Sequence, residues 1–319
     1  MKAIADDLAE QVCSVEIDLS RTLRLGSIFH RSLARRVTEG FQGAERSLLQ
    51  RLLPQVRRLP SAAVSCVYRD QIGELDAAEA VRWFREAAEP RPAEVYDGPT
   101  DPRWLRDGVQ EVLRSLNWGE EQVASVVTVL PPEVVRSLEL ARRALSTCWP
   151  RAWDEHRALV QYLVFTRGPL RSATIQSTYG IVYAEVEEAG DPLRMFELLL
   201  HESAHHTLAL REQFTRFVEN PEVLGRHALR SDPRPLRGVL HAAFVMCRIA
   251  GGISRYQRTY PEAGPLDGCA VGVGERMRFA LDSLGEALEV LDASAVWTDD
   301  GRLLRESMGR CLAREGVPA

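Results

Sequence analysis

Seven histidines are spread over this chain of 319 residues, and two of them stand four apart with a glutamate directly after the first: His201-Glu202-Ser203-Ala204-His205. On an α-helix four residues advance about 400° and rise about 6 Å, so both imidazoles leave the same face one turn apart and can grip one ion. Glu202 leaves the helix about 100° round from His201. From there a carboxylate acts on a metal-bound water or orients a ligand more easily than it completes the coordination shell. Imidazole suits iron, zinc, copper and nickel alike, so the spacing announces a metal without naming it.

A metal centre that does chemistry normally takes a third protein ligand and leaves a position open. His241 is the leading candidate. It lies in PLRGVLHAAFVMCRIAGG, which reads as an apolar helix opened by Asp232-Pro233 and Pro235 and closed by Gly251-Gly252. An imidazole among Leu, Ala, Phe and Val is costly to bury alone, and a metal is one partner that offsets the cost. Glu219 and Glu222, just downstream of the motif, are rivals for the same role. His206 is turned to another face and reads as a hydrogen-bonded neighbour of the site or a surface residue. Arg237 and Arg248 stand four residues before and seven after His241, so helical periodicity brings both towards its face. Either could form a bidentate pair with the far carboxylate of a metal-bound dicarboxylate, with Arg234 a weaker candidate. The alternative for all three is an ordinary structural or solvated ion pair.

Elements must hold these side chains. Asp191-Pro192 supplies an N-cap and a first-turn proline for a motif helix expected from about Leu193 to about Leu210. Ahead of it ALVQYLVFT, stopped by Arg167-Gly168-Pro169, reads as a buried strand, and SATIQSTYGIVYAEV as a second strand or hairpin. The first 150 residues carry helical apolar spacing, as in GAERSLLQRLLPQV, DAAEAVRWFREAAE and PPEVVRSLELARRALSTCW. The Pro-rich AEPRPAEVYDGPTDPRW interrupts them as a loop or lid. The expected class is α+β, mainly α: a helical region over 1–152, then a metal-binding catalytic region over 153–319. In the latter a small antiparallel sheet packs on a zincin-like HExxH helix. His30, in an Arg-rich helix, and His156, beside acids, read as surface or capping residues.

The formal net charge of −5 and the sequence pI near 5.9 argue against an electrostatic grip on nucleic acid or an anionic membrane. A small molecule or a peptide is the expected partner, and a homodimer is compatible with the sequence. The acidic start, MKAIADDLAEQVCSVEIDLS, lacks the basic and apolar stretches of a signal peptide, and a cytoplasmic setting is expected. Cys13, Cys66, Cys148, Cys247, Cys269 and Cys311 form no CxxC pair and read as reduced thiols, Cys247 as a small buried hydrophobe.

Four segments together, SATIQSTYGIVYAEV, FELLLHESAHHTL, DPRPLRGVLHAAFV and VWTDDGRLLRESM, resemble a family of HExxH-motif proteins that modify ribosomally made peptides. Some of its members are Fe(II)- and α-ketoglutarate-dependent oxygenases. The resemblance covers roughly residues 155 to 310. It implies a metal held by His201, His205 and His241, a fold other than the cupin barrel, and β-hydroxylation of a residue in a precursor peptide with O2 as co-substrate. His206 departs from the Asn-like residue that the family pattern suggests after the motif. The rival expectation is a zinc metallopeptidase with Glu202 as general base. A third reading is a helical scaffold that binds a leader peptide around a structural or degenerate metal site.

Overall fold

The computed structural model describes residues 14–86, 94–96, 105, 107–111, 125–168, 172–226, 232–267, 269 and 272–316. In chain order its elements begin with helices α1 (Leu19–Glu39), α2 (Gly43–Leu52), α3 (Ser61–Tyr68) and α4 (Ala77–Glu86). Strands β1 (Glu94–Val95) and β2 (Ser125–Val126), helices α5 (Pro132–Cys148) and α6 (Pro150–Leu159), and strands β3 (Tyr162–Arg167), β4 (Ser172–Ala173) and β5 (Ile181–Glu185) follow. Helix α7 (Pro192–Arg211), strands β6 (Leu224–Gly225) and β7 (Arg234–Pro235), and helices α8 (Leu236–Thr259), α9 (Val273–Ser294) and α10 (Asp299–Glu315) complete the chain. The protein is mainly helical with a small sheet, and no barrel closes among the described residues.

The chain forms two compact units that interleave in sequence. Of the described residues, one contains those within 14–19, 136–154 and 191–316, the other those within 20–135 and 155–190. The boundary expected between 152 and 153 therefore falls inside α6.

The second unit holds the five-stranded sheet. Its two longest strands, β3 and β5, pair parallel, with Leu163 opposite Val182 and Phe165 opposite Ala184. This corrects the expected antiparallel sheet. The segment between them is long enough to cross back, and on the way it lays β4 antiparallel against β5. Leu163, Val164, Phe165 and Thr166 are buried in succession, the pattern of a strand covered on both faces rather than one. Of the Pro-rich stretch, Glu94–Val95 pair parallel with β3, and apart from Tyr96 the rest lies outside the described residues.

His30 and His156 are not at the surface, contrary to expectation: both are buried. Helix α1 buries polar residues among its apolar ones. Thr22 donates to Glu155 at 3.2 Å, and His30 meets the rings of Phe29 and Tyr179 edge-on at 5.2 and 6.0 Å. Burial, with the Arg58 charge nearby, drives the His30 imidazole down to about 3, so it is neutral in the folded protein.

The first unit is built on α8, which packs against α7, α9 and α10. Neighbours on several sides explain why every residue of α8 from Ala243 to Ser254 is buried. It is the one helix among the described residues long and apolar enough to pass for a membrane span, and most of it is buried inside the protein. The helix does not stop at Gly251-Gly252 as the sequence suggested. It continues to Thr259 because the glycines serve packing: a Cβ on Gly252 would stand 2.3 Å from Leu200 Cδ1, so their absence lets α8 lie close on α7. Arg276 of α9 forks onto the buried Glu197 of α7 with contacts of 2.6 and 2.8 Å.

Candidate metal centre

Helix α7 starts as its sequence dictates. The Asp191 carboxylate accepts from the backbone N–H groups of Leu193 and Arg194 at 2.9 and 3.0 Å, and Pro192 occupies the first turn, where its missing N–H costs nothing. One turn apart on this helix, His201 and His205 bring their Nε2 atoms to 3.1 Å. His241 comes across from α8 and places its Nδ1 3.1 Å from Nδ1 of His205. Its ring lies almost parallel to that of His205, with centroids 5.3 Å apart. The structure thus brings all three expected ligands together.

A fourth group completes the chain. Glu212, which caps the C-terminal end of α7, sets Oε2 3.2 Å from His241 Nε2. The same oxygen accepts from Arg237 Nε at 3.0 Å and Nη2 at 2.7 Å. The protons can be assigned from the outer end inward. An ionised carboxylate only accepts, so His241 donates from Nε2, and as a neutral ring it would accept at Nδ1 from His205 Nδ1–H. His205 Nε2 is then left to accept from His201. His201 and His205 are thereby neutral imidazoles, the form that ligates metal. Burial pushes His201 down to about 4; burial and the neighbouring His201, His241 and His206 drive His205 well below the ordinary histidine range. Burial alone would raise Glu212, but His241 and Arg237 outweigh it and hold the carboxyl at about 2.

Among the described residues no group of three or more His, Cys, Asp or Glu side chains stands ready-formed around one point as a metal site. The geometry gives the reason: His205 shows Nε2 to His201 and Nδ1 to His241, so the rings form a hydrogen-bonded chain rather than a cage. The donor chemistry nevertheless fits a cation. Two imidazole nitrogens 3.1 Å apart, each at about 2.05 Å from one ion, subtend an angle of about 100°, between octahedral and tetrahedral values. Rotation of the His241 side chain is what a third bond requires.

The surroundings define one open side. His201 keeps 33% of its side-chain surface exposed, whereas His241 and Glu212 keep 15% and 14%. A cavity of about 270 Å³ adjoins the outer end of the chain, lined by Glu212, Thr215, Phe217, Glu222, Arg237 and Leu240 among others. Glu202 is buried beside the pair, Oε1 standing 3.8 Å from His201 Nε2.

The remaining expected residues divide. Arg237 meets the site through Glu212 and is half exposed at the cavity. Arg248 is buried over the rings of Phe244 and Trp149, at 5.2 and 5.9 Å. Arg234 pairs with Asp232 at 3.0 Å. Glu219 and Glu222 are exposed, Glu219 pairing with Arg216 at 3.5 Å. His206 is buried, on the side of α7 away from solvent. Cys247 is buried as expected, its carbonyl facing the thiol of Cys311. Glu212 was missed, yet its spacing was readable: it lies seven residues after His205, two turns on and within about 20° of the same face. No family model matches the chain, and no curated protein matches it.

Proposed function

We propose that this protein is a non-haem Fe(II)/α-ketoglutarate-dependent oxygenase that hydroxylates the β-carbon of a residue in a ribosomally made precursor peptide. The observation that carries the metal reading is the contiguous run of His201, His205 and His241 at 3.1 Å steps with one side open to solvent. The choice of oxidation over hydrolysis draws its support from the likeness of four segments to HExxH peptide hydroxylases and from Arg237, which stands one turn before His241 on α8. Three neutral imidazoles leave the positive charge of a divalent ion uncompensated, which favours an anionic chelating co-substrate.

His201, His205 and His241 would hold the iron. Bound iron with α-ketoglutarate and O2 supplies the oxidising power to replace a C–H hydrogen by hydroxyl, while the keto acid becomes succinate and CO2. Arg237, whose Nη1 is left over from its contacts with Glu212, is the arginine placed beside the open cavity for a carboxylate. Glu202, buried against His201, orients groups at the site and has no obligatory proton to move. The partners of this reading are a precursor peptide and O2, and its setting is the cytoplasm, with Cys66, Cys148, Cys247, Cys269 and Cys311 as free thiols.

Anaerobic addition of Fe(II) and then α-ketoglutarate should raise the weak visible charge-transfer band of a chelated complex. Admission of O2 should then form succinate. No band and no succinate, with peptide cleavage by the zinc-loaded protein instead, would overturn the proposal.

One observation favours a second reading. Glu202 Oε1 stands 3.8 Å from His201 Nε2, so its carboxylate would lie beside a metal held there, as the general base of a zinc peptidase must. Glu202→Gln separates the two: it abolishes hydrolysis with zinc retained in a peptidase, and leaves succinate formation within a few fold in an oxygenase.

A further inference from the structure

A histidine ligates through either ring nitrogen, and which one is free depends on what the other is bonded to. The paired histidines of α7 face each other through Nε2. His241 is the other way round: its Nε2 points out to Glu212 and its Nδ1 points in to His205. Glu212 can hold the proton on the Nε2 side of the ring. It sits at the end of α7 rather than on a loose loop, and Arg237 clamps the same oxygen with two bonds, fixing both the place and the charge of the acceptor. All three residues are drawn into one cluster, Arg237 and His241 from one face of α8 at a spacing of four and Glu212 from the face of α7 that carries His201 and His205.

We infer that Glu212, clamped by Arg237, is a positioning residue that keeps the proton of His241 on Nε2 and leaves Nδ1 as the nitrogen that His241 can give to a metal. The inference rests on reading the three histidines as a metal site, in which His241 would bind through the nitrogen opposite to its Glu212 contact. Glu212 itself does not touch the ion. Its role is that of the carboxylate behind a ligating histidine, which sets the tautomer and raises the basicity of the metal-facing nitrogen.

The test uses the full-length 15N-labelled chain freed of metal by chelation. Long-range 1H–15N correlation reports the tautomer of each of the seven histidines, with His241 assigned by the spectrum of His241→Gln. The expected result is a neutral His241 protonated at Nε2 and bare at Nδ1. Zinc should then shift His241 at Nδ1. Glu212→Ala should release the tautomer preference and weaken zinc binding, measured by competition with a chromophoric chelator, by about 10- to 100-fold. Glu212→Gln, whose amide oxygen still accepts, should restore the tautomer and part of the affinity. A wild-type His241 protonated at Nδ1, or Glu212→Ala with unchanged tautomer and zinc affinity, would overturn the inference. The expected tautomer in a protein that binds no zinc would uphold the role of Glu212 and defeat the metal reading alone.

Discussion

Both compact units bury histidines, and they do it in different ways. His30 and His156, in the unit with the sheet, are enclosed on every side, and His30 spends its ring on edge contacts with Phe29 and Tyr179. His201, His205 and His241, in the other unit, turn nitrogens towards nitrogens and keep an exposed edge at His201. Burial lowers the affinity for protons in both places. A depressed imidazole therefore does not mark a site; what marks one is donor atoms facing each other beside a way in.

The contrast is broken most severely at His205. His205→Ala should abolish stoichiometric metal binding, a loss of at least about 100-fold in affinity, because it removes the ring that joins the other two. His30→Ala should leave metal stoichiometry intact. Metal analysis of the two purified variants checks both halves.

Arg276→Ala comes next. It strips the buried Glu197 of its partner, with an expected loss of about 3 to 5 kcal/mol in chemical denaturation, since one charge is left uncompensated inside.

The sheet-bearing unit has its own signature in pH. His30 is held at about 3 when folded against 6.5 for an ordinary histidine, so between those values the unfolded chain binds more protons and stability falls as pH falls. The contribution of His30 is fully present above about pH 6.5 and is lost progressively towards pH 3, by up to a few kcal/mol. Replacement by Gln should flatten the stability profile of the metal-free protein over that window; an unchanged slope would mean that His30 is not the group responsible. The smallest effect is expected at the surface, where Arg310→Ala, breaking an exposed pair with Glu306, should cost under about 0.5 kcal/mol.

The site was more legible in the sequence than the scaffold around it. His201 and His205 are local, one turn apart on a helix whose cap is written in Asp191-Pro192, so periodicity alone joins them. His241 was reachable because an imidazole in an apolar helix needs a partner. Glu212 was hidden because the search for a carboxylate looked past the end of the helix to Glu219 and Glu222, although helical spacing already placed Glu212 on the right face. Strand direction was not readable, since an apolar run pairs either way and the crossover between β3 and β5 decides. Gly251-Gly252 looked like a stop because glycine commonly ends helices; only the close approach of Leu200 shows why it is tolerated within one. The buried His30 was misread because neighbouring arginines suggested solvent, whereas α1 buries Thr22, Ser27 and His30 among its apolar residues.

Cobalt(II) titration of the metal-free protein, followed by the visible ligand-field spectrum, tests the shared metal centre most directly. One equivalent should bind per chain, and His201→Ala, His205→Ala and His241→Ala should each weaken it sharply while His30→Ala does not. Titration without a spectral change, or a spectrum that survives His241→Ala unaltered, would contradict a centre built from these three imidazoles.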